Sequence, residues 1–161
     1  MIVIVMGVVG AGKTTVGRLL AEQLHFAFAD ADDFHPQANI EKISQGIALS
    51  DDDRKPWLER LRARILDWEA DRADAVLACS ALKRSYREEL KAGPDVHFVY
   101  LKGSANLIER RLRARHGHFA GASILTSQMA DLEEPDDAIT VDIDQTPSEI
   151  VAQIRQKIGR A

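Results

Sequence analysis

Gly7-Val-Val-Gly-Ala-Gly-Lys-Thr14 has the spacing G-x-x-x-x-G-K-[ST], a pattern suited to holding the phosphates of a nucleoside triphosphate. Gly7, Gly10 and Gly12 let the backbone turn tightly, so that amides along Val8, Val9, Gly10, Ala11 and Gly12 approach phosphate oxygens. Lys13 supplies a mobile ammonium for the β- and γ-phosphates. Thr14 offers a hydroxyl to magnesium, a hard cation that prefers oxygen. Thr15 completes the nucleotide-binding stretch and supports the first turn of the helix that must follow. The loop alone does not separate a kinase from an ATPase or a switch protein, because each holds a triphosphate. The acceptor has to be sought elsewhere in the chain.

Phe28-Ala-Asp-Ala-Asp-Asp-Phe-His-Pro36 gathers carboxylates after a second apolar run. Asp32 is the candidate base: accepting a hydrogen bond from an alcohol, it would orient that oxygen for in-line attack and take its proton. Asp30 could hold magnesium-bound water. The competing reading of Asp30, Asp32 and Asp33 is an acidic loop that caps a helix. His35 reads either as a sugar ligand or as packing at the helix entry before Pro36.

Arg54, inside Asp51-Asp-Asp-Arg-Lys-Pro-Trp57, has a planar guanidinium able to grip a carboxylate through two parallel hydrogen bonds. The acids around it read equally as a helix start. In Cys79-Ser-Ala-Leu-Lys83, Ser80 stands where a magnesium-supporting Asp commonly ends the strand, and Lys83 is a candidate for reading phosphate or substrate. Cys79 reads as a packing residue whose thiol pKa is raised by burial.

Positioning these groups requires strands that end together. Short β-branched runs at 2–6, 26–29, 75–80, 97–102 and 139–143 alternate with amphipathic stretches, which predicts an α/β fold with a parallel five-stranded sheet flanked by helices. Trp57, Leu58, Leu61, Ile65 and Trp68 recur at helical spacing, as do Ile150, Val151, Ile154 and Ile158. The whole chain, 1–161, reads as a single domain with two excursions. One is a substrate-side helical insertion over about 32–71, and the other a flap over about 113–127.

With 21 basic and 25 acidic residues the net charge is −4, which gives no bulk attraction to nucleic acid or anionic lipid. The apolar run 1–6 is too short to span a membrane. The single cysteine excludes an intramolecular disulfide and fits a reduced, cytoplasmic setting.

Taken in order, these blocks resemble the gluconokinase family, small P-loop kinases related in fold to shikimate and adenylate kinases. The resemblance is carried by the phosphate loop, Asp30-Ala-Asp32 with His35-Pro36, Asp51 to Trp57, Cys79 to Lys83 with Tyr86-Arg87, Leu101-Lys-Gly103, Gly117-His-Phe119 and Val141-Asp-Ile-Asp144. It implies phosphorylation of D-gluconate on its 6-hydroxyl by ATP with Mg2+, and a homodimer. Transferred residue by residue, it implies Asp32 as the base or orienting group and His35, Arg54, Lys83 and His118 on the gluconate side. Arg111 and Arg115 become lid arginines, one on adenine and one on the transferred phosphoryl group, while a solvated basic face remains the alternative for the stretch holding Arg111, Arg113 and Arg115. Two other functions stay open at this point: a kinase for another small acid such as shikimate, and an ATP-binding switch without transfer.

Overall fold

Ile2–Met6 forms strand β1, and all five side chains are buried in the computed structural model, which describes residues 1–116 and 122–159. Burying each side chain of that size is worth about 1.5–3 kcal/mol, enough to fix the strand at the centre of a sheet. The chain continues through α1 (Lys13–Leu24), β2 (Ala27–Asp30), a 3₁₀ turn (Ala31–Phe34), α2 (Gln37–Ser44) and α3 (Asp51–Ala70). It then runs through β3 (Ala75–Ala78), α4 (Arg84–Leu90), β4 (Val96–Lys102), α5 (Ala105–His116), α6 (Ala122–Asp131), β5 (Ile139–Asp142) and α7 (Pro147–Lys157). The strand order is β2-β3-β1-β4-β5, with every pairing parallel. The expected α/β sheet is therefore present, and all five strands point their carboxyl ends to one edge.

The two-residue period of β1 divides the core. Val3 and Val5 face a cluster with Val16 and Leu20 of α1 and Val151 and Ile154 of α7. Ile2, Ile4 and Met6 face the opposite layer, against Trp57, Leu61, Ile65 and Trp68 of α3 and Leu90 of α4. Both expected helical stripes are thus core-facing, with Ile158 only partly buried.

The ends of β2, β3, β4 and β5 differ from expectation by one or two residues, and the start of β2 and the end of β3 have local reasons. Phe26 donates its backbone N–H to Ala21 O at the end of α1, so β2 starts at Ala27. β3 stops at Ala78, because Ser80 turns its carbonyl toward Gly7 N at 3.3 Å and Ala81 adopts φ 46°.

The stretch expected as an insertion over about 32–71 consists of the 3₁₀ turn, α2 and α3. A Ser50–Asp53 capping box starts α3, with Pro56 inside it. Of the expected flap, residues 113–116 continue α5 and 122–127 begin α6, so its described parts are helical rather than irregular. Gly117, His118 and Phe119 lie outside the described residues. No helix among the described residues is long and apolar enough to cross a membrane.

Candidate active site

The loop between β1 and α1 owes its path to glycine. Gly10 has φ 79°, and a Cβ there would lie 2.9 Å from Leu112 of α5. Gly12 has φ 93° at the N-cap of α1, and its only neighbour within 4 Å would be Val16, which leaves the surface open to a phosphate. Lys13 Nζ donates to Val8 O at 3.0 Å, folding the side chain over the loop. Burial pushes its pKa down, while Asp32, Cys79 and Asp30 oppose that shift.

Thr14 and Asp30 meet directly: the Thr14 hydroxyl donates to Asp30 Oδ2 at 2.7 Å. The first turn of α1 and the end of β2 thus bring a hydroxyl and a carboxylate together, hard oxygen donors that suit magnesium alongside phosphate oxygens. Among the described residues no group of three or more His, Cys, Asp or Glu side chains could hold a metal ion. Asp30 also accepts from Asp32 N at 3.0 Å, the helix-capping contact that was the competing reading of this acidic stretch.

Asp32 follows on the 3₁₀ turn and is accessible to solvent. Desolvation of its carboxylate by the groups around it raises its pKa above the ordinary Asp range even though the residue reaches solvent, and the neighbouring Asp30 carboxylate adds to this, with Lys13 opposing both. An accessible carboxylate of raised basicity beside a lysine is suited to receiving an alcohol proton. Asp33 is exposed on the same turn.

His35 stacks flat on Trp57, with ring centroids 4.6 Å apart and an interplanar angle of 11°. Its Nδ1 lies 3.2 Å from Asn39 Nδ2, an amide that can only donate, so Nδ1 accepts and the proton sits on Nε2. Burial, then Arg54, lowers the His35 pKa, which keeps the ring neutral. Trp57 is fixed in turn by donating Nε1–H to Ala31 O at 2.7 Å, and the buried Asn39 also donates to Asp53 O at 2.8 Å. The stack and the Asn39 contact show His35 packed at the helix entry, one of the two readings made of it.

On α3, Arg54 Nη1 donates to Tyr86 Oη at 3.0 Å and to Asp131 Oδ2 at 3.3 Å. Lys83 Nζ lies 2.9 Å from Asp51 Oδ1, which also accepts from the Tyr86 hydroxyl. The Tyr86 and Lys83 hydrogen bonds hold Asp51 below the usual carboxylate range. Both candidate acid-binding cations therefore belong to one chain of ion pairs and hydrogen bonds running from α3 to α6.

The segment carrying Ser80 and Lys83 is held by the buried Arg87, whose Nη1 donates to the carbonyls of Ala81 at 2.9 Å and Leu82 at 3.0 Å. That bonding sustains the left-handed Ala81. Cys79 is buried and its thiol is pushed up to about 12, as expected of a packing residue.

On the other side of the loop, a cavity of about 500 Å³ is lined by Gly10, Ala11, Gly12 and Thr15, by Arg111 and Arg115 of α5, and by Gln145 and Pro147. Its size suits a nucleoside. Arg111 is anchored by donating to Ile143 O, while Arg115 is exposed. Gln145 and Pro147 were absent from the sequence reading, although a position just past the fifth strand at the carboxyl edge was signal enough. Asn39, Gln128 and Asp131 carry no motif.

The family model described as shikimate kinase matches residues 9–159. Thermoresistant gluconokinase of Escherichia coli is 45% identical over 164 residues, covering 99% of this chain and 94% of that protein. The chain belongs to the gluconokinase family. A gluconokinase of Gluconobacter oxydans is 49% identical over 140 residues, covering 83% of this chain and 76% of its own. The crystal structure of a gluconokinase from Sinorhizobium meliloti superposes with a TM-score of 0.90 at 41% identity, covering 98% of this chain and 91% of that one. As a gluconokinase-family member with the P-loop kinase fold, the chain is an ATP-dependent small-molecule kinase.

Proposed function

We propose that this kinase transfers the γ-phosphoryl group of ATP to the 6-hydroxyl of D-gluconate, giving 6-phospho-D-gluconate and ADP. The observation that supports the acceptor side is Asp32, an exposed carboxylate of raised pKa near Lys13, on the turn that leads to His35, whose own pKa is lowered in part by the charge of Arg54.

In this reading Asp32 orients the 6-hydroxyl and accepts its proton as the new O–P bond forms and the bond from the γ-phosphorus to the bridging oxygen breaks. The loop amides and Lys13 balance charge on the transferring group, and Arg115 approaches it from α5. His35 donates Nε2–H to a sugar hydroxyl, and Arg54 and Lys83 take the carboxylate end. Thr14 and Asp30 would hold magnesium, which when bound supplies positive charge to the phosphate oxygens. Arg111 borders the nucleoside cavity, with Gln145 and Pro147 opposite.

The domain reading completes the proposal: a single kinase domain over 1–161 with a substrate-side insertion at about 32–71 and a lid at about 113–127. His118 belongs to that lid by the family resemblance. The same resemblance supports a homodimer, which light scattering in solution tests, and a cytoplasmic setting suits the buried reduced thiol.

The deciding experiment is ADP release with ATP and magnesium in three arms: gluconate, shikimate, and no acceptor. Release that requires gluconate is expected. Release with shikimate alone, or equal release without any acceptor, overturns the reading.

A further inference from the structure

Asp131 and Gln128 lie one helical turn apart on α6, on the same face, and each is committed to a different half of the site. Asp131 accepts from Arg54, the guanidinium read above as the acid clamp. Gln128 Oε1 accepts from Val9 N of the phosphate loop at 2.7 Å. Just past the helix, Glu133 N donates to Leu82 O at 2.9 Å, tying the same stretch to the segment that carries Lys83.

The Arg54–Asp131 pair is largely shielded, with side-chain exposures of 13% and 28%. A second carboxylate brought to Arg54 would sit beside Asp131 at short range and little screened, where like charges repel strongly. The acid and Asp131 therefore compete for one guanidinium. Leaving the charge of Arg54 without a carboxylate at this shielded position is costly, so Asp131 yields only to another anion.

We propose that Asp131 is a specificity-determining residue: it stands in for the substrate carboxylate on Arg54, so that an acid, and not a neutral polyol, releases α6. The inference rests on the reading of Arg54 as the acid clamp. A neutral polyol can satisfy Asp32 and His35 but brings no charge to exchange for Asp131. With Asp131 in place, Gln128 stays on Val9 N and one amide of the loop remains occupied. Displacing Asp131 frees the turn that carries Gln128, so acid and nucleotide help each other bind, and by linkage each does so by the same factor. Discrimination then comes from an internal competitor rather than from added contacts to the acid.

Calorimetric titration of the full chain tests this with gluconate, with a non-hydrolysable ATP analogue, and with each in the presence of the other. In the wild type, gluconate is expected to tighten analogue binding about fivefold or more, within the usual range of coupling between sites. In Asp131→Asn, gluconate alone should bind about three- to tenfold tighter, the analogue alone should also bind tighter, and the mutual enhancement should fall below about twofold. Turnover of sorbitol relative to gluconate should rise about tenfold in the same variant. Asp131→Ser, which also removes the charge at a partly exposed helix end, must repeat the pattern. Gluconate binding that is weaker or unchanged in both variants overturns the proposal. A wild type that neither binds nor phosphorylates gluconate refutes the substrate reading instead. The analogue titration without acid still decides the role of Asp131 in that case, since unchanged nucleotide affinity in both variants ends it.

Discussion

The Thr14 hydroxyl and the Asp30 carboxylate are joined by a 2.7 Å hydrogen bond that links the first turn of α1 to the last residue of β2. Neither residue alone is a metal site. Together they provide what the strand leading to Ser80 lacks, a carboxylate next to the loop hydroxyl. Thr14→Val and Asp30→Asn are each expected to raise the magnesium concentration needed for half-maximal ADP release by about tenfold, with little change in acid KM. Because the two act as a unit, the double variant should be less than additive.

Lys13→Ala removes the ammonium from the loop. Phosphoryl transfer should fall by about a thousandfold, the scale expected when a group aimed at developing charge is lost. Single-turnover ADP formation checks this.

Asp32→Asn keeps the shape and removes the base. Turnover should fall about 10²–10⁴-fold, with nucleotide affinity changed far less. The carboxylate form is the one that accepts the proton, so kcat/KM falls as pH drops through its pKa. Burial and Asp30 raise that pKa, so the acidic limb should lie above the usual Asp value of about 3.9. A pH–rate profile of the wild type measures the limb, and its loss from the residual activity of Asp32→Asn assigns it.

Arg54→Ala should raise the apparent KM for gluconate by about 10–100-fold, the worth of a charge-assisted hydrogen bond, without weakening ATP binding. Steady-state kinetics with each substrate varied separates the two. An unchanged gluconate KM would move the clamp to Lys83.

Arg87→Met leaves the carbonyls of Ala81 and Leu82 without their buried donor and relaxes the support of a left-handed alanine. A loss of about 1–3 kcal/mol in stability is expected, read as a lower midpoint in urea unfolding.

The sheet and its two helical layers were legible because apolar periodicity is set by the same burial that builds them. Val3 and Val5 against Ile2, Ile4 and Met6 is one strand's alternation divided between two clusters. The phosphate loop was legible because only glycine satisfies its backbone at Gly10 and Gly12. What stayed hidden depends on distant partners. Asp131 reaches Arg54 across 77 positions, and Val9 meets Gln128 across 119. No local pattern records such pairings. Asn39 looked like any polar helix residue until its amide was found joining His35 to Asp53.

Trp57 is one of two tryptophans in the chain, and its indole lies flat against His35. The other, Trp68, sits eleven residues farther along α3, about 16 Å away at the rise of an α-helix, beneath the guanidinium of Arg64. His35 thus rests on a chromophore, with a second one held apart as an internal standard. Ligands that shift the imidazole change the intrinsic emission of one indole only, so acceptor arrival can be timed by stopped flow in the unlabelled protein.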